Sequence, residues 1–199
     1  MTAAHAFSRG RPRDAKRDEV LRAATLAVLA EVGYRALTMD AVAKKANASK
    51  ATIYRRWDSK LDLVIDSCTD LVSRNIPQPD TGSLAGDLRT FLLAFARVLS
   101  GPAGKAAQAL VGELPHEPEL AEAFRNGFLR TQRDVLRVAL DRAAMRGELS
   151  GDAPKALVVE LAGAALTHRL MLTGEPLDAP FVDRLVDQIL MVVLTRRSR

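Results

Sequence analysis

The sequence predicts an all-α protein with a three-helix helix-turn-helix domain at its N-terminus and a helical bundle at its C-terminus. Three observations predict this fold. Apolar residues recur at spacings of three and four along the 199-residue chain, and no segment alternates as a strand would. The nine prolines stand at the breaks between these apolar stripes. The first 60 residues are basic, whereas the rest of the chain is slightly acidic.

The composition excludes several classes of protein. Hydrophobic residues make up 48% and charged residues 27%, which is ordinary globular usage and excludes disordered, collagenous and disulfide-scaffold proteins. The chain lacks a run of about 18 uncharged apolar residues, so we expect no membrane-spanning helix and no membrane partner. Residues 1–13 lack the apolar stretch of a secretory signal. The single cysteine, Cys68, suits a reducing compartment, and we expect a cytoplasmic protein.

Charge is distributed unevenly along the chain. Residues 1–60 contain 13 Lys or Arg and 6 Asp or Glu, a net charge of +7. Residues 61–199 contain 16 Lys or Arg and 18 Asp or Glu, a net charge of −2. A basic segment joined to a slightly acidic one is typical of a polyanion-binding module attached to a different domain. The distribution therefore predicts a nucleic acid as the leading partner.

Local capping signals predict the N-terminal helices. The first helix is expected from about Asp14, a suitable N-cap, to Gly33, which can adopt the left-handed conformation that ends a helix. Thr38 caps a second helix that stops at Asn47, and Ser49 caps a third. Two short helices joined by a tight turn form a helix-turn-helix, whose second helix reads the major groove of DNA.

The third helix has an inner and an outer face. Ile53 and Trp57, four residues apart, are expected to point inward. The residues expected to face outward are Lys50, Ala51, Thr52, Tyr54, Arg55 and Arg56. Arginine pairs bidentately with guanine, threonine contacts base edges, and lysine and tyrosine hold phosphates. Thr38 and Lys60 lie at the N-termini of the flanking helices, where backbone N–H groups favour phosphate, so we expect a positioning role.

A short basic arm precedes the first helix. Arg9, Gly10, Arg11 and Pro12 form the pattern of arms that insert arginines into the narrow minor groove of A·T-rich DNA. We therefore expect Arg9 and Arg11 to contact DNA. The alternative, a solvated tail without a binding role, stays open because the pattern is short.

The C-terminal part of the chain is predicted to form a helical bundle. The helix predicted at 119–146 is apolar on two sides and is therefore central. The helices at 154–173 and 179–196 are too apolar for the surface of a monomer, so they are expected to form a homodimer interface. The candidate interface residues are Ala162, Ala165, Phe181, Leu185 and Ile189. The alternative is that both helices are internal to one subunit.

The segment GRPRDAKRDEVLRAATLAVLAEVGYRALTMDAVAKKANASKATIYRRWDSKLDLV resembles the DNA-binding domain of the tetracycline-repressor (TetR) family of bacterial transcription regulators. Its most specific positions are Thr38, Val42, Ala43, Ala46, the run SerLysAlaThrIleTyr from 49, Trp57, Ser59 and Lys60. Asn47 replaces the usual turn glycine, Ala48 the usual valine and Trp57 the usual phenylalanine. Asparagine tolerates the left-handed conformation, so the turn is expected to be kept.

The resemblance implies a function for the whole chain. Family members are homodimers that bind a palindromic operator, usually repress transcription and release DNA when a small molecule binds. Residues 1–60 would then be the arm and DNA-binding domain, and residues 61–199 the effector-binding and dimerisation domain. The helices around the family's pocket here carry Phe91, Phe95, Phe124 and Phe128, which implies an apolar or aromatic effector. The alternative for each phenylalanine is packing in the core.

Catalytic and cofactor motifs are absent from the sequence. The three histidines lie far apart, and the chain contains no HExxH, Walker, GxGxxG or GxSxG pattern. We therefore expect a protein that is not an enzyme and holds neither a metal nor a cofactor. Two alternatives stay open: a helical enzyme or small-molecule binder with an incidental basic segment, and a DNA-binding repressor that responds to no ligand.

Overall fold

The computed structural model describes residues 15–149 and 153–195, which form nine helices and no strand. The first six are α1 (Ala15–Ala36), α2 (Met39–Lys45), α3 (Lys50–Tyr54), α4 (Lys60–Asn75), α5 (Leu84–Ser100) and α6 (Pro102–Glu113). Each of the last three contains a π-helical segment. Helix α7 comprises Pro118–Phe124, the π-helical Arg125–Leu129 and Arg130–Met145, and α8 comprises Lys155–His168 and the π-helical Arg169–Thr173. Helix α9 comprises Ala179–Leu185, the π-helical Val186–Leu190 and Met191–Thr195. The predicted all-α fold is confirmed.

Capping residues set the ends of the N-terminal helices. The Thr38 hydroxyl accepts a hydrogen bond from the backbone N–H of Ala41 at 3.1 Å, and α2 begins there. The Ser49 hydroxyl accepts one from the backbone N–H of Thr52 at 3.2 Å, and α3 begins there. Each such cap stabilises its helix by about 1 kcal/mol. Gly33 has a φ of +77°, and three further helical residues follow it before α1 ends.

The turn between α2 and α3 is a Schellman motif built on Asn47. This residue has a φ of +48°, the left-handed conformation expected at its position. Its backbone N–H donates to the carbonyl of Lys44 at 3.3 Å, and the N–H of Ala48 donates to the carbonyl of Ala43 at 2.9 Å. Asparagine thus performs the role of the usual turn glycine, as the sequence predicts.

Two apolar cores hold the described helices together. One lies under the helix-turn-helix and also includes residues of α6 and α7, among them Leu110, Leu120 and Phe124. The other fills the bundle with residues from α4, α5, α7, α8 and α9. Because α6 and α7 contribute to the first core, the helix-turn-helix packs directly on the bundle.

Helix α8 is more apolar than expected for a helix on the surface of a monomer. Within the described residues, Lys155–Thr173 is long and apolar enough to cross a membrane by length and composition, although it contains Glu160 and Arg169. Only 17% of its most apolar window is buried within the subunit. Leu157 and Leu172 are exposed, while Arg169 bonds to the Pro176 carbonyl at 2.6 Å and stacks on Phe181. Most of the apolar surface of α8 is thus left uncovered.

Two of the candidate interface residues lie inside the subunit. Ala162 is 1% exposed and Leu185 is 7% exposed, and both belong to the core of the bundle. The expectation that they form a subunit contact is wrong, because Ala162 is four residues from Val158 and from Leu166 and shares their inward stripe. The remaining candidates differ: Ile189 is exposed, and Ala165 and Phe181 are partly exposed.

Candidate DNA-binding surface and internal cavity

Of the six residues of the third helix predicted to face outward and contact DNA, four lie on the outer surface of the helix-turn-helix. Lys50, Ala51, Tyr54 and Arg55 are exposed on and just after α3. Nζ of Lys50 donates to a carboxylate oxygen of Asp40 at 2.9 Å, and this bond raises the pKa of Lys50. Arg55 makes no ion pair within the described part of the chain. Its guanidinium is therefore free to pair with an anion or with a base edge.

The other two predicted reading residues are turned away from this surface. Thr52 is 9% exposed, and its hydroxyl lies 2.8 Å from that of Ser49. Arg56 forms an ion pair with Asp18 of α1, and the two side chains are only 11% and 15% exposed. The expectation of an outward orientation is wrong for both. Arg56 lies in the turn just after α3, where its backbone N–H donates to the carbonyl of the buried Ile53 at 2.8 Å, and its side chain is directed back towards α1.

A polar network joins α3 to α1 and α4. The indole N–H of Trp57 donates to a carboxylate oxygen of Asp66 at 2.8 Å. Nε of Arg22 donates to the same oxygen at 2.8 Å, and its Nη1 lies 3.2 Å from Asp70. The Arg22 guanidinium also lies 5.8 Å from the centroid of the Trp57 ring. These contacts fix the end of α3 relative to the helix that follows it.

The flanking positions predicted to hold phosphate lie at helix N-termini. Thr38 is exposed and caps α2, and Lys60 is the first residue of α4. Nζ of Lys60 donates to the carbonyl of Tyr34 at 3.0 Å and lies 4.2 Å from the centroid of its ring. Burial raises the pKa of the Tyr34 hydroxyl, which therefore stays neutral. The arm residues Arg9 and Arg11 lie outside the described residues.

A cavity of about 330 Å³ lies inside the C-terminal bundle. All four predicted phenylalanines line it. Their rings follow one another: the centroids of Phe91 and Phe95 are 6.2 Å apart, those of Phe95 and Phe128 are 6.4 Å apart, and those of Phe124 and Phe128 are 4.8 Å apart. The volume is within the range of small-molecule sites, about 300 to 1,000 Å³. The four aromatic side chains thus form one continuous part of the wall.

The polar groups around the cavity are few. Burial raises the pKa of Cys68 to about 12, so its thiol is neutral. The two charged residues of the lining, Arg133 and Glu160, are exposed. Gln132 is buried, and its Nε2 has no hydrogen-bond partner in the described part of the chain. The sequence interpretation missed Gln132, although a polar residue spaced four from both Phe128 and Leu136 was a detectable signal.

The cavity wall includes α1 and α4, the helices that pack against the end of the DNA-binding helix α3. One side of the cavity is lined by Leu26 of α1 and by Cys68 and Leu71 of α4. Arg22, one turn before Leu26 on α1, and Asp66, two residues before Cys68 on α4, belong to the network around Trp57. A molecule in the cavity would therefore touch the two helices that position α3.

Two family models match the chain. Residues 21–66 match the model described as bacterial regulatory proteins, tetR family. Residues 78–189 match the model described as tetracyclin repressor-like, C-terminal domain. The two matches fall on the helix-turn-helix and on the bundle that surrounds the cavity.

Curated relatives match over almost the whole chain. A DNA-binding transcriptional repressor TetR of Mycobacteroides abscessus is 37% identical over 185 residues, which are 92% of this chain and 96% of that protein. An HTH-type transcriptional regulator of Bacillus subtilis, YdeS, is 32% identical over 178 residues, covering 89% of this chain and 90% of the relative.

A solved structure shows the same fold. The TetR family transcription regulator SCO0332 aligns with a TM-score of 0.72 and 32% identity, over 87% of this chain and 96% of that one. The chain therefore belongs to the TetR family of bacterial transcription regulators, and it is a DNA-binding regulator of transcription and not an enzyme.

Proposed function

We propose that this regulator is a homodimer that represses transcription from a palindromic operator and releases the DNA when a small apolar or aromatic effector enters the cavity. The observation that carries the proposal is the shared wall: Leu26 and Leu71 line the cavity from the helices that hold the reading helix. A ligand that favours one arrangement of α1 and α4 changes the position of α3. We infer a cytoplasmic protein, because its partner is DNA.

The exposed residues of the helix-turn-helix divide into two roles. Arg55 and Ala51 contact base edges in the major groove, because an unpaired guanidinium suits guanine and a methyl group suits thymine. Lys50 and Tyr54 hold the phosphate backbone. Thr38 and Lys60 add phosphate contacts at the N-termini of α2 and α4. Arg9 and Arg11 of the arm extend the contact into the minor groove.

A second copy of this chain covers the apolar surface of α8 and α9. Leu157 and Leu172 of α8 and Ile189 and Val192 of α9 are large, apolar and exposed in the single subunit. Ile189 and Val192, three residues apart, form an apolar strip on one face of α9 beside the partly exposed Phe181, and Leu157 and Leu172 are exposed near the two ends of α8. Two strips related by a two-fold axis bury one another and pair two reading helices. The apolar surface of α8 is then buried by the second subunit and not by a membrane.

The effector role is tested with the neutral apolar fluorophore N-phenyl-1-naphthylamine. We expect its fluorescence to rise when it enters the cavity of the full chain, and operator affinity to fall by roughly 5- to 150-fold, the usual range of coupling between sites. Ala107→Phe places a ring in the cavity and is expected to abolish both effects, since Ala107 lines it. Ala144→Phe is the matched control, because Ala144 is exposed and lies outside the lining.

Two results would decide against this role. Equal uptake of the fluorophore by Ala107→Phe and by the unaltered protein would place the ligand elsewhere. Uptake that leaves operator affinity unchanged would identify the protein as a repressor that responds to no ligand in this cavity.

A further inference from the structure

One buried polar group of the cavity lacks a hydrogen-bond partner among the described residues. Gln132 lies on α7, one turn after Phe128 and one turn before Leu136, and all three line the cavity. Its side chain is 9% exposed, and its Nε2 makes no hydrogen bond with any described residue. Buried amide groups are almost always paired, so an unpaired one at a cavity wall points to a partner that comes from outside.

None of the described lining residues forms a hydrogen bond with Nε2 of Gln132. The neighbouring side chains are mostly aliphatic or aromatic, and the Cys68 thiol, with its pKa raised to about 12, stays protonated. Arg133 and Glu160, the charged residues of the lining, are exposed to solvent. An ionised ligand would therefore lose its hydration without gaining a buried counter-charge. A neutral ligand loses much less.

We propose that Gln132 is the residue that selects the effector, and that the effector is an uncharged, largely apolar ring compound with a hydrogen-bond acceptor such as a ketone carbonyl. The acceptor meets Nε2 of Gln132, while the rings lie against the phenylalanines of the wall. This inference rests on the proposed function, since it names the class of molecule that the cavity takes. The row of rings from Phe91 to Phe128 favours a flat molecule over a flexible chain.

Three tricyclic compounds of nearly equal size test the inference. Fluorene has no polar atom, fluorenone adds a carbonyl acceptor, and carbazole adds an N–H donor. Their affinities for the full chain are measured by displacement of N-phenyl-1-naphthylamine. We expect fluorenone to bind about fivefold more tightly than fluorene, the usual effect of one hydrogen bond. The preference should vanish in Gln132→Met, which keeps the length of the side chain and removes the amide.

A matched variant and a stability measurement separate selection from a structural role. Gln78→Met makes the same change at an exposed position of the α4–α5 loop and is expected to keep the preference for fluorenone. Gln132→Met is expected to melt at the same temperature as the unaltered protein or higher, because it removes an unpaired buried amide.

Each contrary result has a distinct meaning. Four results would overturn the role of Gln132 alone. Two concern the unaltered protein: a preference for carbazole, or equal binding of fluorene and fluorenone. Two concern Gln132→Met: a preference for fluorenone that survives the change, or a large fall in its melting temperature. Failure of the fluorophore and of all three tricycles to bind the unaltered protein would overturn the proposed effector function, and this inference with it.

Discussion

Replacing Arg55 with alanine is expected to weaken operator binding by about 2 to 6 kcal/mol per dimer, since each bidentate contact with guanine contributes about 1 to 3 kcal/mol and a dimer makes two. Arg55 is exposed at the end of α3 and makes no ion pair within the described residues. Binding to a shuffled duplex depends mainly on phosphate contacts and should weaken only slightly. The measurement is fluorescence anisotropy of both duplexes at one fixed salt concentration.

Arg55→Lys is the control that separates charge from base recognition. Lysine keeps the positive charge but cannot form the planar two-bond contact, so it should restore non-specific binding and leave the operator preference reduced. A loss of the same size on the operator and on the shuffled duplex would contradict the assignment of Arg55 to base reading.

Replacing Arg56 with alanine is expected to act on stability and not on base preference. The change leaves the Asp18 carboxylate without its partner at a site where both side chains are largely buried. Loss of one member of such a pair costs about 3 kcal/mol or more. It also removes the hydrogen bond from Nη1 of Arg56 to the Thr52 carbonyl, at 3.1 Å. Urea unfolding followed by the fluorescence of Trp57 measures the effect directly.

The double variant Asp18→Ala/Arg56→Ala tests whether the ion pair is the cause. Removing both charges eliminates the unpaired carboxylate, so part of the lost stability should return. If Arg56→Ala instead leaves the stability unchanged and weakens operator binding, Arg56 contacts DNA, and its assignment to a stabilising ion pair is contradicted.

The helix-turn-helix could be predicted because its signals are local. Thr38 and Ser49 cap their helices by bonds to N–H groups three residues away, and Asn47 forms the turn through its own backbone conformation. Each of these interactions is contained in a few consecutive residues, so the sequence alone specifies it.

Orientation was harder to predict where a helix is short or apolar on several sides. The five-residue helix α3 has too few apolar positions to define an inner face, which is why the ion pair of Arg56 with Asp18 was missed. Helix α8 is apolar around most of its circumference, so the inward stripe of Ala162 could not be separated from the outward one.

The cavity could be predicted only through its phenylalanines. Apolar periodicity places Phe95 and Phe128 on inward faces but does not distinguish a side chain that fills space from one that borders a void. The unpaired amide of Gln132 depends on every neighbour within reach, and those neighbours come from several helices. Such a feature appears only when the helices are packed together.

Selection of binding sites from a random duplex library by the full chain tests whether a dimer reads a palindromic operator. We expect sequencing to recover a two-fold symmetric sequence whose half-sites are one helical turn apart, ~34 to 36 Å, or a multiple of it. One protein dimer should occupy each selected duplex, and Ile189→Asp, which places a charge in the exposed strip of α9, should abolish the selection. Recovery of no common sequence, or of an asymmetric site occupied by a single subunit, would contradict that expectation.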